Sequence, residues 1–375
     1  MNFEFSEEQS MLRDSVARFI QDDYDFDTRR AIADSDEGMS GKHWQTFAEL
    51  GWLSIPFAEE HGGYGGDAVD TMVVMEELGK GLVLEPYFAT VILFGGLLQK
   101  AGTPQQQAEY LPGVIDGSRQ GAFAFLERQS RFELADVKTA ATAEGGAYLI
   151  NGEKTVVYNG ASADQVIVSA RTSGEQYDQA GISLFIVPAD DPGLSSTSYR
   201  LMDGRLVTNL QLSNVAGELL GEAGKGFDVI DALVHEANLA LAAEAVGIMS
   251  QLNAKTLEYT KTREQFNVAI GSFQALQHRM VDTFMAYEQT RSLLYRAVCD
   301  YTAGKDDARA SMHALMTMID RNGKLVFGEA IQLHGGMGLT DELDIGHYAK
   351  RLMMINTTFG NGDYHQAKFS ALRYA

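Results

Sequence analysis

The hydrophobic period of this chain changes twice, and no other feature limits its fold as strongly. Up to about residue 118, apolar residues recur at three- and four-residue spacing, as over 8–20, 41–52 and 68–80, the pattern of helices buried along one stripe. From about 119 to 223 the pattern becomes short alternating runs. Val166-Ile167-Val168-Ser169-Ala170-Arg171 and Ile182-Ser183-Leu184-Phe185-Ile186-Val187-Pro188 are two of them, bounded by Gly, Asn and Asp turns. From about 224 the helical spacing returns over 226–262, 271–303 and 306–333. A strand block enclosed by two helical blocks predicts an α+β chain divided as 1–118, 119–223 and 224–375. The length of 375 residues suits two or three domains, and 45% hydrophobic content supports a large core.

Charge and cysteine content narrow the partners. A net charge of −21 argues against nucleic acid and against an anionic membrane surface, and an anionic ligand must be met by local cations. The single cysteine, Cys299, excludes an internal disulfide and fits a reducing compartment. The N-terminus lacks a basic-then-apolar signal pattern and no 18-residue apolar span is evident, so a cytoplasmic protein is expected.

The densest chemistry lies in Thr262-Arg263-Glu264-Gln265-Phe266-Asn267-Val268-Ala269-Ile270-Gly271-Ser272-Phe273-Gln274, which runs on to His278-Arg279. It offers a fixed cation (Arg263), aromatic faces (Phe266, Phe273) and a planar amide (Gln274), the groups that hold pyrophosphate, a purine and hydrogen-bonding edges. Downstream, Gln332-Leu333-His334-Gly335-Gly336-Met337-Gly338 ends a helical run with paired glycines, which stop a helix and let backbone approach a ligand. Competing chemistries are weak. No GxGxxG follows a strand, and Gly221–Lys225 has the wrong spacing for a phosphate loop. No histidine pair has zinc spacing with a third ligand, so no metal site is expected, and no Ser-His-Asp set is readable.

These two motifs resemble the flavin-binding segments of the acyl-CoA dehydrogenase family, TRxQFGxxIxxFQxxQH and QxxGGxG. The likeness runs along the whole chain, through Phe5-Ser6-Glu7-Glu8-Gln9, Gly51-Trp52-Leu53-Ser54-Ile55-Pro56 with Glu59-Glu60-His61-Gly62-Gly63, Ile150-Asn151-Gly152-Glu153-Lys154, and Leu220–Phe227. The resemblance implies an N-terminal helical bundle, a middle β-barrel and a C-terminal four-helix bundle. It implies FAD as cofactor, with Arg263, Phe266, Phe273, Gln274, Gln332, Leu333, Gly335 and Gly336 on the adenosine and pyrophosphate side. It also implies an acyl-CoA substrate and an electron-transfer flavoprotein as acceptor.

The chain departs from the family pattern at the base and around the flavin ring. The family's C-terminal YEGT motif aligns with Phe359-Gly360-Asn361-Gly362, which puts Gly360 at the catalytic glutamate. An alternative glutamate position on an earlier helix falls at Ala237. Glu236 precedes that slot by about 100° of helix rotation, Glu244 returns to its face two turns on, and Asp363 stands in the C-terminal loop. These three are the candidate bases. On the ring side, Leu126 stands at the threonine of the family's LTEPGAGSD, Val156-Val157-Tyr158 replaces W-I-T, and Gly362-Asp363-Tyr364 replaces T-x-Q. In the family each flavin lies across a dimer interface. An intact adenosine side and an altered ring side therefore resemble the small subunits of heteromeric acyl-CoA dehydrogenases, those acting on pimeloyl-CoA or steroid side chains. The expectation is a subunit contributing the ADP half of the flavin site, associated into a dimer or tetramer with a second subunit or itself. A non-catalytic scaffold that has lost flavin is the alternative.

Overall fold

The computed structural model describes residues 5–145 and 147–374. In chain order it contains α1 (Glu7–Asp23), α2 (Phe26–Asp34), α3 (Gly41–Glu49), α4 (Ala68–Gly81), a π-helix (Tyr87–Gly95), α5 (Gly96–Ala101) and α6 (Pro104–Ile115). Strands follow: β1 (Gly121–Ala124), β2 (Ala140–Glu144), β3 (Ala147–Tyr158), β4 (Gln165–Arg171), β5 (Ile182–Pro188), β6 (Leu194–Arg200) and β7 (Leu206–Leu220). Then come α7 (Gly226–Thr262), the short strands β8 (Glu264–Gln265) and β9 (Val268–Ala269), α8 (Gln274–Thr302), α9 (Ala308–His334), α10 (Ile345–Thr358) and α11 (Gly362–Tyr374). This is the acyl-CoA dehydrogenase-type order of helices, barrel and helices expected from the sequence. Chain contacts divide it into two compact units, one of residues up to Arg30, Ala68–Val83 and Asn238 onward, the other of Ala31–Asp67 and Leu84–Ala237.

Local sequence sets the helix starts. Ser6 Oγ accepts the Gln9 N–H at 3.1 Å while the Gln9 side chain bonds back to the Ser6 N–H, and Thr103 and Gln106 repeat this reciprocal cap ahead of α6. The π-helix is a departure from the periodic reading. Tyr87-Phe88-Ala89-Thr90-Val91-Ile92-Leu93-Phe94-Gly95 is buried on every side, so no 3.6-residue stripe marks it.

In the second unit, β4, β2, β3, β7 and β5 pair in that order, and β5 pairs back to β4, which closes a barrel. β1 joins β4 in parallel, and β6 lies along β7. Inward residues such as Ile150, Val166, Val168, Phe185, Leu210 and Leu212 fill the interior. Arg171 is buried and donates to the carbonyls of Ala135, Val137, Ser173, Gln176, Asp178 and Ala180, which fastens two long loops to the end of β4.

In the first unit, α4 and α7 cross at paired glycines. A Cβ on Gly79 would lie 2.3 Å from the Glu244 carbonyl oxygen, and one on Gly247 would lie 1.9 Å from that of Glu76. Only glycine permits so close an approach of two backbones. α7 also corrects an expectation from the sequence: it is long and apolar enough, by length and composition, to cross a membrane. In the structure 89% of its apolar window is buried, as in a core helix whose whole circumference is covered.

Candidate functional site

The segments assigned to the ADP half of the cofactor meet in the first unit. Just past the end of α7, Arg263 donates its N–H to the Tyr259 carbonyl at 2.8 Å, and its own carbonyl accepts the Ile270 N–H at 2.8 Å. That closes the β8–β9 hairpin, whose turn residues Phe266 and Asn267 both have positive φ, 54° and 62°. The turn throws the Phe266 ring into solvent, 87% exposed, with the Phe273 ring edge-on at 6.2 Å. A bulky residue in the left-handed region and a ring in water both cost free energy. Arg263 is exposed and has neither an ion pair nor a side-chain hydrogen bond among the described residues. Gln274 opens α8, whose N-terminus has no side-chain cap.

The glycine turn reaches the same place through an aromatic contact. Tyr259, in the last turn of α7, stacks on His334, the last residue of α9, with ring centroids 4.3 Å apart at 29°. Gly335 then takes φ 61° and ψ −142°, a conformation that only glycine adopts readily. A Cβ placed on Gly335 or Gly336 would meet no atom within 4 Å, so open room stands over this backbone. Gln332 is exposed, but Leu333 is only 6% exposed. Its side chain is buried, which leaves its backbone for a ligand.

The candidate bases sit in unlike surroundings. Gly360 has φ 146°, and a Cβ there would lie 2.4 Å from Tyr364 Cδ1 and 2.6 Å from His365 Nε2. The room a side chain would need is filled. Asp363 is exposed in the first turn of α11, a position that favours an anion for helix-end reasons alone. Glu244 is buried and gripped through both oxygens by Arg351, at 2.6 Å from Nε and 2.6 Å from Nη2. Accepting a substrate proton would strand that guanidinium in the core. In the second unit Glu236 is paired with Lys100, while Ala237, at the family's alternative position, is fully buried.

Beside Leu126 the structure reveals a buried ion pair that spacing did not disclose. Glu127 accepts Lys154 Nζ at 2.8 Å and the backbone N–H groups of Lys138 and Thr139 at 2.9 and 3.1 Å. Burial pushes the Glu127 carboxyl up, but Lys154 and these donors outweigh it and hold the group at about 2. The available signal was a lysine at an inward position of an alternating strand. At the bulge after Lys154, Val156 takes φ 54°, with its N–H donating to Asn209 Oδ1 at 3.1 Å. A β-branched residue is strained there, at the ring-side position the sequence marked as altered.

Comparison with known proteins decides the family. Sequence models described as the N-terminal, middle and C-terminal domains of acyl-CoA dehydrogenase match residues 6–118, 122–215 and 224–370. The chain belongs to the acyl-CoA dehydrogenase family. It is an FAD-dependent oxidoreductase of that family. A probable acyl-CoA dehydrogenase of Bacillus subtilis (strain 168), YngJ, is 33% identical over 359 residues, 92% of each chain. Among solved structures, the FAD complex of PigA superposes with a TM-score of 0.92 at 26% identity, covering 99% of this chain and 98% of that one. A variant of the Tcur3481-Tcur3483 steroid acyl-CoA dehydrogenase gives 0.88 at 28% identity, covering 98% and 97%.

The residues present suit FAD on the adenosine side. A guanidinium with no ion pair among the described residues matches a dianionic pyrophosphate, two exposed rings match a planar heteroaromatic base, and the open glycine turn admits a close approach. FAD held here would supply the acceptor for a hydride from the substrate β-carbon.

Proposed function

We propose that this chain is one of two unlike subunits of an acyl-CoA dehydrogenase. In this reading it grips the ADP half of FAD and leaves the catalytic carboxylate to its neighbour. The observation that carries the proposal is Gly360, whose missing side chain is replaced by the packed rings of Tyr364 and His365. Removal of the weakly acidic α-proton needs a carboxylate within hydrogen-bond reach of the α-carbon. Glu244 is committed to Arg351, Glu236 to Lys100, and Asp363 stands in solvent. What this chain does offer is the exposed Arg263, Phe266 and Phe273 set, which a ligand and a neighbouring subunit can cover together.

An interface is available for that neighbour. Val281, Phe284 and Met285, spaced for one face of α8, are 53%, 55% and 48% exposed, and Leu325 on α9 is 39% exposed. A dimer or tetramer through these C-terminal helices would cover them. The likeness to a steroid acyl-CoA dehydrogenase named for two proteins supports a bulky acyl group as substrate. An electron-transfer flavoprotein is the acceptor in this reading, and the lone Cys299 suits a reducing cytoplasm.

The test is acyl-CoA-dependent reduction of a dye by the purified chain, over short, long, dicarboxyl and steroid thioesters. No turnover alone, with activity and yellow colour on co-expression with a glutamate-bearing subunit, is the expected result. Turnover by the chain alone that disappears in Glu236→Gln or Asp363→Asn would overturn it. A complex that is active while this chain contributes no flavin contact, judged by unchanged flavin content in Arg263→Ala, would make it a scaffold.

A further inference from the structure

Two helices end side by side at the cofactor-gripping surface, and one stacked pair joins them. Tyr259 lies four residues before Arg263, whose N–H bonds back to its carbonyl. Beyond stacking on His334, Tyr259 directs its hydroxyl to the His334 carbonyl at 3.4 Å, one of the carbonyls left without an intrahelical partner at the end of α9. His334 is itself set before Tyr259 meets it. Its Nδ1 lies 2.7 Å from the Ala330 carbonyl, so Nδ1 carries the proton and donates, and the imidazole is fixed against its own helix. One turn back along α7, Lys255 pairs with Asp344 at 2.8 Å, which ties the same helix to the residue that opens α10. Gly271 packs against the Thr260 carbonyl, 3.0 Å from a Cβ built on it, so the loop that leads to Phe273 is seated on the same turn of α7.

We infer that Tyr259 and His334 are positioning residues for the flavin grip, a clamp that fixes the exit of α7 at Arg263 against the exit of α9 at Gly335. The inference rests on the reading that Arg263 and the Gly335-Gly336 turn hold the ADP half of FAD. The physical need is specific. Both helices present their C-terminal ends here, where the dipole disfavours a phosphate group. A single guanidinium and an open backbone turn can hold a pyrophosphate only if their separation is fixed. Arg263 is exposed and a Cβ on Gly335 would meet no atom within 4 Å, so no packed side chain joins the two directly. The stacked pair is the rigid link that Arg263 and Gly335 each follow, four residues and one residue on.

The test uses Tyr259→Leu, which removes ring and hydroxyl, Tyr259→Phe, which keeps the ring, and His334→Phe, which keeps a ring but loses the Nδ1 donor. Arg263→Ala serves as the reference. FAD affinity is measured by fluorescence titration of the protein as purified, with its partner where one co-purifies. Amide hydrogen exchange of the peptides spanning 263–273 and 335–339 is followed without flavin. Tyr259→Leu is expected to weaken FAD binding about tenfold and to speed exchange in both peptides, with Tyr259→Phe restoring most of each and His334→Phe falling between. A merely structural role would lower the melting temperature and leave exchange at the two exits unchanged relative to the rest of the chain. Unchanged FAD affinity in Tyr259→Leu, where Arg263→Ala weakens it, overturns the clamp and leaves the flavin grip standing. Unchanged affinity in Arg263→Ala, or no FAD affinity in the unmutated protein, overturns the grip itself and with it the clamp.

Discussion

Replacing His365 should remove a defined part of the acid sensitivity of this protein. His365 is 1% exposed, and its Nδ1 lies 2.9 Å from Nδ1 of His313, also buried, so one ring donates and the other accepts. Burial first, and the neighbouring His313 second, push the His365 imidazole down to about 3. Unfolded, a histidine binds its proton near 6.5, so the unfolded chain takes up a proton that the native state refuses. The stability linked to His365 is therefore complete above about pH 6.5 and is lost as pH falls toward 3. At pH 5 the loss works out to about 2 kcal/mol, and the ceiling below pH 3 is about 5 kcal/mol. The assay is urea unfolding of the chain and of His365→Leu at pH 8 and pH 5. His365→Leu will be less stable at pH 8, but its stability should fall by about 2 kcal/mol less between the two pH values. Equal falls in the two proteins would refute the argument that this buried pair resists protonation.

The remaining predictions concern the grip, the missing base and the helix crossing. Arg263→Ala should weaken FAD binding by about 1.5–3 kcal/mol, with Arg263→Lys recovering only part because lysine lacks the planar fork; flavin titration reads both. Gly360→Glu should not create a dehydrogenase, because the new Cβ falls 2.4 Å from Tyr364 and 2.6 Å from His365; dye reduction with a lowered melting temperature is the measurement. Gly247→Ala should cost at least about 1–3 kcal/mol in chemical unfolding, since its Cβ would sit 1.9 Å from the Glu76 carbonyl oxygen. Lys154→Met should cost about 3–5 kcal/mol by leaving Glu127 buried without its cation, and adding Glu127→Gln should return part of it.

Periodicity alone determined the order of helices, strands and helices, because a buried stripe or a buried sheet face repeats locally along the chain. The long patterns over 226–262 and 306–333 correspond to α7 (Gly226–Thr262) and α9 (Ala308–His334), and the run Ile182–Pro188 is β5. Residue identity also disclosed the Arg263 segment, the glycine turn and the glycine at 360, since a motif is carried by neighbours in sequence. What the tertiary structure alone decided depends on partners far away in the chain. Glu244 could be weighed as a base from sequence, but Arg351, 107 positions on, takes both its oxygens. Gly360 was legible as a missing carboxylate, whereas the filling of its space by His365, held by His313 from 52 positions away, was not. Leu333 shared a motif with exposed residues and yet turned inward, because side chains one residue apart on a helix face about 100° away from each other. The π-helix at Tyr87–Gly95 carried no period, being covered on all sides. Tyr259 and His334 gave no local signal either: their contact exists only because two helices end at one place.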